Sequence, residues 1–400
     1  MKDNNRIESL DVIRGFAVLG ILIMNIQSFS MPGPAYLNPM AYGDMAGGNR
    51  WVWIVSHVFA DSKFMSLFSM LFGASILLIS DNAEKKLGSS IGMHYRRNFW
   101  LLLIGLFHAY VMWQGDILTP YAVIAFLVYP MRKMKVRSLL IVGTLLFSVS
   151  SILYLFTGMS IQYMPATDLA GLMSGWQPTV EQIQLEIAAF TGTFSQQMEA
   201  RVEETIMMHT TVFLILFLWR ISGLMLIGMA LYKSGFFQGG FSKAFYTRTM
   251  LIAGVIGFAL VVYGVVQNFG HEWSLEYSMF IGSQYNYWGS LGVAIAYVAI
   301  MNLIIKSGAL TAIRIRLAAV GKLALTNYLS QTLLGTFIFY GFGLGLFGQI
   351  ERSGQIGIVI LIWVFQLVVS PIWLKHFHYG PAEWMWRSLS QMKWQAFRKG

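Results

Sequence analysis

Apolar residues fall in ten long blocks separated by short polar segments. The blocks cover residues 12–29, 52–79, 97–113, 117–131, 138–157, 206–232, 250–267, 288–305, 317–340 and 357–374. A bilayer core takes about 20 residues of helix to cross. The blocks 97–113 and 117–131 are shorter than that, and are expected to kink or to sit partly inside the protein. The pattern predicts an all-α fold, a polytopic integral membrane helical bundle of about ten transmembrane helices. Residues 1–400 are read as a single polytopic membrane domain.

The segments between blocks alternate in charge. Every second segment is rich in Lys and Arg, and these segments hold 23 of the 28 basic residues. The intervening set holds only Arg50, Arg201 and Arg352, while Lys63 and Arg220 lie inside blocks. The positive-inside rule then places both termini in the cytoplasm of a bacterial inner membrane. No small-residue cleavage site follows block 12–29, so it reads as an uncleaved signal anchor. The longest outer segment is 158–205. There Thr179 and Gln182 have capping-box spacing, and Ile183, Ile187 and Phe190 share a helical face. It is expected to form an amphipathic helix on the membrane surface, or a lid over a cavity. The tail 381–400 is expected to be a cytoplasmic interfacial helix opening at Pro381, with Trp384, Trp386 and Trp394 as membrane anchors.

Composition removes whole classes. Charged residues make up 12% of the chain and hydrophobic ones 56%. Globular domains carry about 25% charged residues, so a soluble fold could not cover this surface. With no cysteine, disulfides, thiolate metal sites and a cysteine nucleophile are excluded. The net charge of +10 is a topology signal, and nucleic acid is not an expected partner. Membrane lipids are, and oligomeric state stays open, with a homodimer one option. Gly343, Gly345 and Gly348 spell GxGxxG, but past a membrane span with no strand before them; a tight turn is expected. His376 and His378 do not share a helix face, and no metal site is expected.

The informative residues are polar groups inside blocks, which are costly there and need partners or water. Asn25 lies eleven residues beyond Arg14, roughly 16 Å along a helix. His108 lies the same distance beyond Arg97. Lys63, Arg220, Asn327 and Gln331 complete the set. If they converge, they line a polar cavity; taken singly, the amides read as glue between helices. A central arginine is always charged and needs an anion, from Asp61, Asp116 or a ligand. His108 reads either as a general base or as a hydrogen-bonded structural residue. Asp116 reads first as a helix N-cap, and by helical rise it stands too far above His108 to pair without a bend or a water. Asp11 and Arg14, at i and i+3, form either a surface pair or, with Arg96 and Arg97, a cationic cytoplasmic mouth.

These blocks carry a resemblance. The run from Arg6 to Gly15 leading to Met24-Asn25, and the run from Lys63 to Gly73, resemble YeiB-like bacterial membrane proteins (domain of unknown function 418). So do His108 with Gly115 to Leu118, Trp219-Arg220 with Gly223 to Met225, Leu325 to Tyr328 with Gln331, and Gly380 to Arg387. The opening is also similar to heparan-alpha-glucosaminide N-acetyltransferase and to transmembrane acyltransferases that modify envelope polysaccharides. That likeness implies transfer of an acyl group from cytoplasmic acyl-CoA, such as acetyl-CoA, to an acceptor at the other face. Asn25 matches an asparagine of the acetyltransferase, whose catalytic histidine, about eleven residues on, is replaced here by Tyr36. The expected roles are His108 as base, Asn25 as oxyanion donor, Asp116 beside the base, and Asp11, Arg14, Arg96 and Arg97 at the phosphates. Lys63 and Arg220 would hold an anionic acceptor or the thioester arm, with Asn327 and Gln331 in the cavity wall. The same residues also suit a transporter of an anionic metabolite, or a non-catalytic envelope protein.

Overall fold

A computed structural model describes residues 8–399; Lys2 and Arg6 of the first basic segment lie outside them. The described chain is helical, and an isolated bridge between Phe377 and Arg398 is its one extended pairing. In lipid each backbone polar group must be satisfied within its own segment, which is why apolar blocks become helices. The order is α1 Glu8–Ser30, α2 Pro34–Leu37, α3 Gly47–Phe59, α4 Lys63–Leu87, α5 Ile91–Phe107, α6 Leu118–Val128, α7 Val136–Ser160 and α8 Ala166–Trp176. It continues with α9 Val180–Thr191, α10 Phe194–Met207, α11 Leu218–Lys233, α12 Lys243–Gly270, α13 Ser283–Ser307, α14 Thr311–Lys322, α15 Ala324–Phe339, α16 Arg352–His376 and α17 Pro381–Gln391.

Seven helical stretches among the described residues are long and apolar enough to cross a membrane: Glu8–Ser30, Gly47–Leu87, Val136–Tyr163, Phe194–Lys233, Lys243–Gly270, Leu275–Ser307 and Arg352–His376. Three of the ten sequence blocks are not among them. Blocks 97–113 and 117–131 become the short pair α5 and α6, and block 317–340 breaks at Leu323 into α14 and α15. Block 52–79 is also interrupted, at 60–62, where Ser62 has a left-handed φ of 65°. Wide π-helical turns occupy His108–Met112, Met208–Phe217 and Leu275–Gly282.

Burial sorts the helices. The apolar window of α1 is 72% buried, against 28% for α7, 28% for α12 and 22% for α16, so α1 is central and the others form the lipid-facing rim. The close pairs meet at glycines. A Cβ on Gly73 would stand 2.0 Å from the Met225 carbonyl oxygen, and one on Gly228 2.0 Å from that of Met70, so α4 and α11 touch backbone to backbone. Gly15 and Gly321 do the same for α1 and α14.

The basic segments gather at one end. Glu84 pairs with Arg132 at 3.2 Å, Lys233 donates to the Met134 carbonyl at 2.8 Å, and the Trp386 indole donates to the Arg97 carbonyl at 2.7 Å. Trp386 was expected to anchor in lipid; it is instead buried against α5, with the Arg97 guanidinium 3.5 Å over its ring. At the opposite end, segment 158–205 forms α8, α9 and most of α10. The Thr179–Gln182 capping box is present, and Ile183 and Phe190 point inward. Glu186 accepts from the Gly33 amide at 2.8 Å and Asn38 donates to the Trp176 carbonyl at 3.0 Å, tying this segment over the turn between α1 and α2. Gly345 and Gly348 have positive φ, in the expected turn.

Candidate functional site

The polar residues inside blocks separate into three groups instead of lining one cavity. The first forms where α3 breaks from α4. His57 and Asp61, one turn apart, pair Nδ1 to Oδ2 at 3.0 Å. Asn286 of α13 bridges the break. Its amide donates to the same Asp61 oxygen at 2.7 Å, and its carbonyl accepts from Lys63 Nζ at 2.5 Å. Lys63 also donates to the His57 carbonyl at 2.7 Å and is fully buried. The His57 ring stacks on Trp53 at 4.8 Å. With Nδ1 turned to the Asp61 carboxylate, Nε2 has no hydrogen-bond partner among the described residues.

Arg220, 5% exposed, approaches this network from α11. It donates once, to Ser290 Oγ at 3.3 Å, and lies 4.7 Å over the Tyr287 ring. Its Nε is buried without a partner. Ser66 of α4 meets the same Ser290 hydroxyl at 3.4 Å, so α4, α11 and α13 converge here. Neither Lys63 nor Arg220 makes an ion pair among the described residues, and Asp61 is the carboxylate within electrostatic reach of both. Tyr36 of α2 faces the same place. It keeps 37% of its surface open. Burial, reinforced by Asp61, holds this phenol well above its ordinary value, and Arg220 pulls it back. Asn25 is half-buried, with no side-chain hydrogen bond among the described residues. Its neighbour Met24 belongs to the same buried apolar cluster as Ala60, Phe64 and Tyr287.

The second group is sealed. His108 Nδ1 pairs directly with Asp116 Oδ1 at 2.8 Å, and Nε2 meets Thr332 Oγ1 at 2.9 Å. Direct pairing was expected only with a bend or a water, and the chain does bend: the helix ends in the π-turn at His108–Met112 and Trp113 is extended, so helical rise does not apply between them. Asp116 also caps α6, accepting from the Leu118 and Thr119 amides at 3.0 and 2.7 Å. His108 and Thr332 have no exposed surface, so this carboxylate–imidazole–hydroxyl chain is closed to the surface.

The third group is glue between helices. Asn327 donates to the Val320 carbonyl and to Ser370, each at 3.2 Å. Gln331 donates to the Val18 carbonyl at 3.1 Å and to Gln366 at 3.0 Å. These bonds tie α1, α15 and α16 across the break at Leu323, away from Lys63 and Arg220.

At the basic end, Arg14 pairs with Asp11 at 3.1 Å and donates to Ser75 at 3.3 Å. The Arg97 side chain has no hydrogen bond or ion pair among the described residues, and Arg387, Arg14 and the Glu383 carboxylate lie within its electrostatic reach. Arg96 is exposed beside Met392. Two guanidiniums within reach of a half-buried one suit an anionic phosphate group. Among the described residues no cluster of His, Asp or Glu has metal-site geometry.

Comparison places the chain among known proteins. Residues 231–393 match the family described as "Protein of unknown function (DUF418)". The chain is 30% identical to "Uncharacterized protein YxaH" of Bacillus subtilis, over 99% of this chain and 97% of that one. It is 29% identical to "Uncharacterized protein YeiB" of Escherichia coli, over 96% and 95%. An "Uncharacterized 39.9 kDa protein in amylase 3'region" of Bacillus acidopullulyticus is 26% identical over 97% and 94%.

Proposed function

The chain belongs to the DUF418 family, and from that premise we propose that it is a membrane-bound acyltransferase. It moves an acyl group from cytoplasmic acyl-CoA to an acceptor at or across the bacterial inner membrane. Both termini are cytoplasmic in this reading, because the basic end of the bundle faces inward. With α5, α6 and α15 as short spans, the path crosses ten times.

The observation that carries the reading is the His57–Asp61 dyad, set at a helix break beside two buried basic side chains. Here His57 takes the role of base in place of His108, since the His108 ring has no exposed surface. The acceptor O–H or N–H gives its proton to His57 Nε2 while its heteroatom attacks the thioester carbonyl. The C–S bond breaks, and the imidazolium returns the proton to the departing thiolate, releasing acylated acceptor and free CoA. Asp61 holds the tautomer and stabilises the imidazolium. Asn25, with no side-chain hydrogen bond among the described residues, is suited to the developing oxyanion. Arg97, with Arg14 and Arg96, is suited to the phosphates of CoA.

The test is label transfer from radiolabelled acetyl-CoA in nanodiscs supplied with envelope extract as acceptor source. His57→Gln should lower transfer by about 10²–10⁴-fold, and Asp61→Asn by a similar factor through the wrong tautomer. Undiminished transfer by a folded His57→Gln protein would remove the dyad from the reaction. One feature favours a second reading, transport of an anionic metabolite. The helix break at 60–62 and the π-turns at Met208–Phe217 and Leu275–Gly282 surround the buried basic side chains, as discontinuous helices do in transporters. Arg220-dependent anion flux in proteoliposomes, without acyl transfer, would select it.

A further inference from the structure

The electrostatics of the α3–α4 break are unbalanced. Two basic side chains, Lys63 and Arg220, are 0% and 5% exposed. Asp61 is the carboxylate that faces them, and it is already occupied by His57 at 3.0 Å, Asn286 at 2.7 Å and the Ser62 hydroxyl at 3.2 Å. Lys63 satisfies two donors, on a backbone carbonyl and on Asn286. Arg220 is left with a single 3.3 Å bond to a serine, an aromatic ring beneath it and an unpartnered Nε. An arginine cannot shed its proton, so in a low-dielectric interior this arrangement is costly until an anion meets it. Its planar fork matches an oxyanion with two acceptor oxygens. The Tyr287 ring lies under the guanidinium, and Tyr36 lies within its electrostatic reach.

We propose that Arg220, backed by Lys63, is the binding subsite for an oxyanion, a phosphate or carboxylate group carried by the acceptor. The inference deepens the transfer reading by giving the acceptor its charge, and it rests on that reading for the word acceptor. The anion lies across the Arg220 fork with Ser290 beside it. The acceptor's nucleophile then lies on the His57 side of the break. The headgroup of a lipid monophosphate and a free anion present the same chemistry.

The test measures binding, so it does not depend on turnover. Purified protein in detergent is titrated with inorganic phosphate, with acetate and with dihexanoyl phosphatidic acid, and affinity is read from thermal stabilisation. Wild type should bind at least one probe saturably. Arg220→Gln should weaken that binding by about tenfold or more, the worth of one charge-assisted pair. Arg220→Lys, which keeps the buried charge and so guards against misfolding, should weaken it by about three- to tenfold because the fork is lost. Glu199→Ala, exposed on α10, should bind as wild type does. Phosphatidic acid binding without inorganic phosphate would assign a lipid acceptor, and the converse a soluble one. Saturable binding with no acyl transfer would sink the transferase and leave the subsite standing. No saturable binding of any probe, or equal affinity in wild type and Arg220→Lys, overturns the subsite.

Discussion

Replacing Glu383 should loosen the bundle from its basic end. This residue sits in the first turn of α17, is 8% exposed, and reaches across to the start of α15. Its carboxylate accepts from the Leu325 amide at 2.6 Å, the Thr326 amide at 3.0 Å and the Thr326 hydroxyl at 2.5 Å. It therefore caps α15 from outside, where the break at Leu323 has left amides without carbonyl partners. Glu383→Ala strands two buried amide donors at about 1–3 kcal/mol each. It also removes a negative charge from a helix N-terminus, about 0.3–1 kcal/mol more. Allowing for water entering the gap, a loss of about 2–4 kcal/mol is expected. Glu383→Gln keeps an acceptor and should stay within about 1 kcal/mol of wild type. Burial raises the folded carboxyl above its ordinary 4.5, against the pull of the Thr326 and Leu325 hydrogen bonds. A raised carboxyl holds its proton more tightly in the folded chain than in the unfolded one. Stability from this group is thus fullest below 4.5 and falls as pH rises through the folded value. Glu383→Gln should flatten that slope. The assay is reversible unfolding in mixed micelles followed by tryptophan fluorescence from pH 4 to 8, with exposed Glu199→Ala as control. Wild-type stability in Glu383→Ala would refute the capping argument.

Three other changes probe separate links. Gly228→Ala places a methyl 2.0 Å from the Met70 carbonyl and should cost about 1–3 kcal/mol or more by forcing α4 from α11, whereas Gly171→Ala, in open space on α8, should not destabilise; equal stability of the two proteins would refute the contact. Thr332→Val leaves His108 Nε2 buried without a partner and should cost about 1–3 kcal/mol, largely recovered in Thr332→Ser; an unchanged unfolding midpoint in Thr332→Val would show that the bond contributes nothing. Leu310, 54% exposed, has a left-handed φ of 54° ahead of α14, so Leu310→Gly should stabilise by about 0.5–1 kcal/mol in the same unfolding assay, and a loss would argue against that backbone conformation.

The sequence by itself determined what local chemistry and the solvent impose. Apolar blocks in a chain with 12% charged residues dictate helices in lipid. Alternating basic segments forecast that one end of the bundle would collect the cations, and they do. The Thr179–Gln182 box was legible because both partners lie within one turn. The same spacing at Thr193 and Gln196 caps α10, and His57 and Asp61 at i and i+4 carry a comparable local signal. Tertiary structure decided the rest. Asn286 reaches Lys63 across 223 residues, a pairing set by how α13 packs on α4. The single bond to Ser290 that leaves Arg220 short of partners depends on the approach of α11 through its glycines. His108 meets Asp116 only because a π-turn reverses the chain, a bend that straight-helix arithmetic misses. Trp386 looks like a lipid anchor by type and became a core residue by position. Helix formation is local because the backbone must satisfy itself in lipid. Which polar side chains share a site depends on helix order and close approach, and those are set by packing among segments far apart in the chain.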